Sequence, residues 1–168
     1  MRVRSKKRNG QVVCTTCEQN TKREGWGPGP WDGEPNRAEW EHAGLPCIAH
    51  RGPVGALCGY VGVPPAHPLH GRKYTENWDD DPPELSIHDG ISYTEPCGGC
   101  ICHAPKPGEP DDLWWLGFAC IHQGDVIPSI AKFLKEIIEA EVGPPPYRMR
   151  YWTLRMVRRE TNRLARQL

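Results

Sequence analysis

Two groups of cysteines stand out by type and spacing: Cys14-Thr-Thr-Cys17 near the start, and Cys97-Gly-Gly-Cys100-Ile-Cys102-His103 past the middle. A C-x-x-C turn sets two sulfurs on one side of a tight loop, and two such turns complete a tetrahedron around zinc with Zn–S of about 2.3 Å. The expected ligands are Cys14, Cys17, Cys97 and Cys100, with Cys102 or His103 able to replace one of them. The ion is then a structural Zn2+ that ties the start of the chain to its centre.

A second chemistry is carried by histidine next to aspartate. His88-Asp89 and His122-Gln123-Gly124-Asp125 each place an imidazole close to a carboxylate in sequence. Such pairs serve as metal ligands or as a base with its orienting group. The H-E-x-x-H, H-x-E…P-C-x-x-C and Ser or Cys nucleophile signatures are all missing. No catalytic residue is therefore assigned outright; as an enzyme, the chain reads as a metal-dependent hydrolase built on His88, Asp89, His122 and Asp125 at strand ends. A recognition site is a third pattern. Tyr60 and Trp114 offer flat faces for stacking, while His70, Arg72 and Lys73 can meet an anion. Cys47, Cys58 and Cys120 have apolar neighbours and read as core filling.

The elements that must position these groups follow from periodicity. Gly and Pro make up 36 of the 168 residues, so the chain is loop-rich and a staple is worth having. PCIAHR (46–51) and ALCGYVGV (56–63) flank Gly52-Pro53-Val54-Gly55 as a hairpin. ISYT (91–94) reads as a strand. LWWLGFACI (113–121) is apolar on both alternating faces and reads as a strand covered on both sides. Residues 64–85, rich in proline and aspartate, read as a surface excursion. A helix is expected from Ser129, with Ile130, Phe133, Leu134, Ile137 and Ile138 as a buried stripe. A second, Arg-rich amphipathic helix is expected over 147–168. The fold class is α+β: a small antiparallel sheet covered by two C-terminal helices, zinc-stapled, with residues 1–10 as a basic flexible arm and 11–168 as one domain.

Formal charge sums to zero but is segregated. Residues 1–23 and 146–168 each carry a balance of +6, and residues 24–145 carry −12. The basic ends either fold back on the acidic body or face nucleic acid or an acidic protein. Residues 1–10 are basic with no apolar run after them, so a signal peptide is not expected. No stretch approaches the roughly 20 apolar residues of a membrane span. These features point to a cytoplasmic protein with reduced thiols and no membrane partner.

The ordered run GLPC (44–47), LCGYVGVPPAHPLHG (57–71), HDGISY (88–93), CICHAPKPGEPDDLWWLGFACIHQGD (101–125) and a closing YR…LARQL (147–168) resembles a family of small uncharacterised proteins encoded by tailed bacteriophages and prophages. The family pattern has HGG where this chain has His88-Asp89-Gly90, and an acidic residue where it has Ala119. The resemblance implies a setting, the infected bacterial cell, and no catalytic mechanism. The function expected first is that of an accessory binding protein that sequesters or blocks a host protein or a small anionic, nucleotide-type signal. A metal-dependent hydrolase is the alternative, and nucleic-acid binding through the basic arm and the arginine helix is the second alternative.

Overall fold

The computed structural model describes residues 23–73, 84–98, 100–103, 108, 112–138, 140 and 148–168, together with the backbone of 5–8 and 11–14. In chain order the elements are β1 (Ser5–Arg8), β2 (Gln11–Cys14), β3 (Arg37–His42), β4 (Leu45–Arg51), β5 (Leu57–Val63), β6 (Tyr93–Pro96), β7 (Trp114–Ala119), α1 (Pro128–Ile137) and α2 (Leu154–Ala165). β1, within residues 1–10 that the sequence reads as a basic flexible arm, pairs antiparallel with β2 just beyond them. The other strands form a five-stranded antiparallel sheet in the order β3-β4-β5-β7-β6. The α+β class read from periodicity is the class observed.

The expected hairpin is β4–β5, closed with Arg51 opposite Leu57. LWWLGFACI supplies β7, which pairs with β5 on one edge and β6 on the other, and its residues 114–118 are buried on both alternating faces. On one face Leu57, Val61, Leu116 and Phe118 pack with Val157 and Leu164 of α2. Gly59 permits that approach: a Cβ there would overlap Thr161 Oγ1 and the Phe118 ring. On the other face Ile48, Tyr60 and Trp115 pack with Ile101. Ile101 belongs to the 97–103 turn, which Arg37 ties down by donating to the carbonyls of Cys100 and Cys102.

Three expectations about the elements change. A single helix, α2, covers the sheet. It is shorter than 147–168 because Thr153 caps it, accepting from Met156 N. α1 begins at Pro128 with no side-chain cap, and Ser129 gives its backbone N–H to Val54 O instead. Its apolar stripe is not buried: Ile130, Phe133 and Ile137 are 41%, 61% and 38% exposed. Of the expected surface excursion, residues 74–83 lie outside the described residues, while Leu69 turns inward and joins the core.

A buried polar network seats α2. Arg51, 0% exposed, donates to Glu34 Oε2 at 2.9 Å and to Tyr151 OH at 2.8 Å. Tyr151 OH donates to the same carboxylate oxygen at 2.5 Å, and Leu154 N donates to Glu34 Oε1 at 2.6 Å. Glu34 thus satisfies a free N–H in the first turn of α2 and neutralises a buried guanidinium.

Candidate metal centre

Antiparallel pairing of β6 with β7 sets the start of β6 and the end of β7 at one end of the sheet, with Ser92 N donating to Gly117 O at 2.8 Å. The loop before β6 carries His88 and Asp89; the loop after β7 carries His122 and Asp125. The segment before α2 closes the third side. There Val126 N donates to Arg150 O at 2.9 Å and Arg150 N to Gly124 O at 2.8 Å, which brings Trp152 over the loops.

Asp125 is the hub. Its turn is closed by Asp125 N donating to His122 O at 3.0 Å. Its Oδ1 accepts from Trp152 Nε1 at 2.8 Å, and its Oδ2 accepts from His122 N and from His88 Nε2, each at 2.9 Å. The Asp125 side chain is 4% exposed, whereas that of Asp89 is 47% exposed. Asp89 takes a left-handed backbone, φ 47°, followed by Gly90 at φ 82°. That turn conformation, which Asp tolerates better than most residues, directs the two consecutive side chains of the His88-Asp89 pair to one spot. Trp152 lies against the His88 ring with centroids 4.1 Å apart.

The four side chains offer ligand atoms that all lie within 4.8 Å of one another. His88 Nε2 is 2.9 Å from Asp125 Oδ2 and 3.4 Å from Asp89 Oδ2; His122 Nδ1 is 3.2 Å from Asp89 Oδ2 and 3.8 Å from Asp125 Oδ2. A tetrahedron with metal–ligand distances of about 2.0–2.1 Å has edges of about 3.3–3.4 Å. Neither approach of His122 Nδ1 is a hydrogen bond: the one to Asp89 is misaligned and the one to Asp125 is too long. That buried nitrogen has no hydrogen-bond partner. The group can hold a metal ion.

No family model matches the chain, and no curated protein or solved structure is significantly similar to it.

Cys120 sits beside the centre without belonging to it. Burial, with Cys58 and Asp125 adding to the effect, pushes its thiol above the usual range, so it stays neutral and is a poor nucleophile or ligand. The recognition residues are divided by the sheet. Trp114 shares a face with α2 and donates Nε1 to Arg72 O at 3.0 Å, and His70 lies 6.0 Å from its ring. His70 also pairs with Asp112 O at 2.8 Å. Arg72 and Lys73 are exposed nearby in sequence. Tyr60 is on the opposite face, edge-on to Tyr93 at 5.2 Å. His70, Arg72 and Trp114 are therefore brought together and Tyr60 is not.

The second cysteine cluster also differs from the thiolate hook expected of it. Cys97 and Cys102 are joined in a disulfide with a Cα–Cα distance of 4.7 Å, and Cys100 is disulfide-bonded as well. A bonded sulfur has no thiolate to give, so in this state Cys97, Cys100 and Cys102 are not zinc ligands. His103 lies 6.0 Å from the Trp115 ring. Cys17 and the Cys14 side chain fall outside the described residues. The sequence points to an ion at these sulfurs; among the described residues the clustered ligand set is that of the two His-Asp pairs. No described helix is long and apolar enough to cross a membrane.

Proposed function

We propose that this protein is a zinc-dependent hydrolase acting on a small phosphate-bearing ligand, with His88, His122 and Asp125 as ligands and Asp89 as the group that takes the proton from water. The observation that carries the reading is His122 Nδ1, buried between two carboxylate oxygens yet hydrogen-bonded to neither. The donor set argues for zinc. Trp152 occupies Asp125 Oδ1, leaving one oxygen of that carboxylate for the ion. Two imidazoles with monodentate carboxylates at tetrahedral spacing do not meet the six to eight oxygens of calcium or the octahedral oxygen shell of magnesium.

A divalent cation held there supplies Lewis acidity and brings the pKa of a coordinated water near neutrality. The chain supplies the rest. Asp125, held by Trp152 Nε1 and His122 N, keeps its Oδ2 beside His88 Nε2, which would give up its proton to bind the ion; Asp89, the exposed member, is free to accept a proton. Two histidines and one carboxylate with a fourth position left for water is a ligand pattern found in catalytic zinc sites. An accessory protein in an infected bacterium, acting on a nucleotide-type signal, fits this chemistry. A closed site with Asp89 as fourth ligand would hold without turning over; the fit of its Oδ2 to the tetrahedral edges favours that second reading.

Titration of metal-stripped protein with zinc, alongside turnover of a chromogenic phosphodiester, tests both. With Asp89 as base, Asp89→Asn keeps zinc affinity and loses turnover; with Asp89 as ligand, affinity falls. Absence of zinc binding in the wild type rejects both readings. A cysteine zinc staple through Cys14, Cys17, Cys97 and Cys100 is proposed for the reduced chain alone, where reductant should raise the zinc content further.

A further inference from the structure

The outer face of α2 carries charge that no body carboxylate among the described residues neutralises. Residues 148–168 hold seven arginines and one acid, Glu160; all seven arginines are exposed and Glu160 is buried. Had the basic end folded back on the acidic body, these guanidiniums would pair with body carboxylates. Among the described residues their one ion pair is Arg163 with Glu160, 3.3 Å, inside the same helix. Arg158 lies 5.1 Å over the Trp40 ring, Arg166 meets His42, and Arg163 also donates to Ser86. Among the described residues Arg155 and Arg159 have no partner.

Arg155, Arg159, Arg163 and Arg166 follow one another at steps of four, four and three residues, so they form one line along the helix. At 1.5 Å per residue that line is about 16 Å long. One strand of a duplex advances by a phosphate per 3.4 Å or so of duplex axis, so a line of this length spans several phosphates. The opposite stripe of α2, Val157, Thr161 and Leu164, is fully buried against the sheet, so the helix is fixed and its arginine line faces outward. Guanidinium forks bind phosphate oxygens in pairs and lose less freedom per bond than lysine does.

We infer that this arginine line is a docking surface for the phosphodiester backbone of a nucleic acid. The inference does not rest on the metal centre. It is tested by anisotropy of labelled single-stranded DNA, single-stranded RNA and duplex DNA with the full chain between about 50 and 200 mM salt. The expected slope of log K against log salt is about −2.8 to −3.6, four contacts at roughly 0.7–0.9 each, and the tightest arm names the polymer. The R155E/R159E double variant should weaken binding at least tenfold, and R155Q/R159Q should flatten the slope by about 1.5. Lys132→Glu on α1 and addition of a chelator should change neither. Absence of binding, a slope near zero, or wild-type affinity in both double variants overturns the inference. So does displacement by polyglutamate as effective as by nucleic acid, which would assign the surface to an acidic protein.

Discussion

Trp152 Nε1 donates to Asp125 Oδ1 at 2.8 Å across 27 positions of the chain. The bond leaves Asp125 Oδ2 as the one oxygen turned to His88 and His122, and the same indole rests on the His88 ring. Partners of this kind orient metal ligands, and their removal lowers affinity about 10–100-fold. Trp152→Phe should therefore keep the ring contact, lose the N–H and weaken zinc binding by that factor while α2 stays folded. Trp152 fluorescence should also respond to zinc in the wild type; unchanged affinity in the variant would remove its positioning role.

Glu34 holds the entry to α2. Glu34→Gln keeps the shape but takes the negative charge from the fully buried Arg51. Breaking a buried pair on one side costs about 3 kcal/mol, and a chain of this size should then melt roughly 6–12 °C lower. A shift under about 2 °C would mean that the network contributes little.

His50 gives the fold a pH dependence. Burial, and next the Arg37 charge, lower its pKa from the ordinary 6.5 to about 4, and its Nε2 is buried without a hydrogen bond. As pH falls, the unfolded chain takes up this proton first. The stability linked to His50 is thus complete above about 6.5 and is lost as pH falls toward 4, on the order of 2 kcal/mol once partial exposure is allowed for. Chemical denaturation at pH 7 and pH 4.5 should show that loss in the wild type and a smaller one in His50→Phe.

Cys47 and Cys120 should be inert in the native state. Cys47 and Cys120 are 1% and 2% exposed, and burial pushes the Cys47 thiol up to about 12. Thiolate is the reactive form. Alkylation at pH 8 should therefore proceed at the unfolding rate, and labelling of either within minutes in native buffer would contradict their placement.

The hairpin and β7 were legible because their patterns are local: turn residues between β-branched runs, and an uninterrupted apolar string. β3 was legible too, but its signal was passed over. Ala38, Trp40 and His42 alternate with Arg37, Glu39 and Glu41, the pattern of an edge strand with one covered face. Asn9-Gly10, the favoured dipeptide of a two-residue hairpin loop, lies between β1 and β2. The α1 stripe misled because an apolar face at helical spacing says what a helix can bury and not what lies beside it. The four site residues were visible as two short pairs. Their meeting depends on the β6–β7 register, which spacing does not encode, whereas the second C-x-x-C hook advertises a metal by spacing and yet has Cys97 disulfide-bonded to Cys102 here.

The central claim is that His88, Asp89, His122 and Asp125 hold an ion. Elemental analysis of wild type and His122→Ala, purified without chelator or reductant, tests it most directly, because any zinc held elsewhere cancels in the comparison. The account predicts about one equivalent of zinc more per chain in the wild type than in the variant. Equal metal content in the two, at matched folding by circular dichroism, would contradict it.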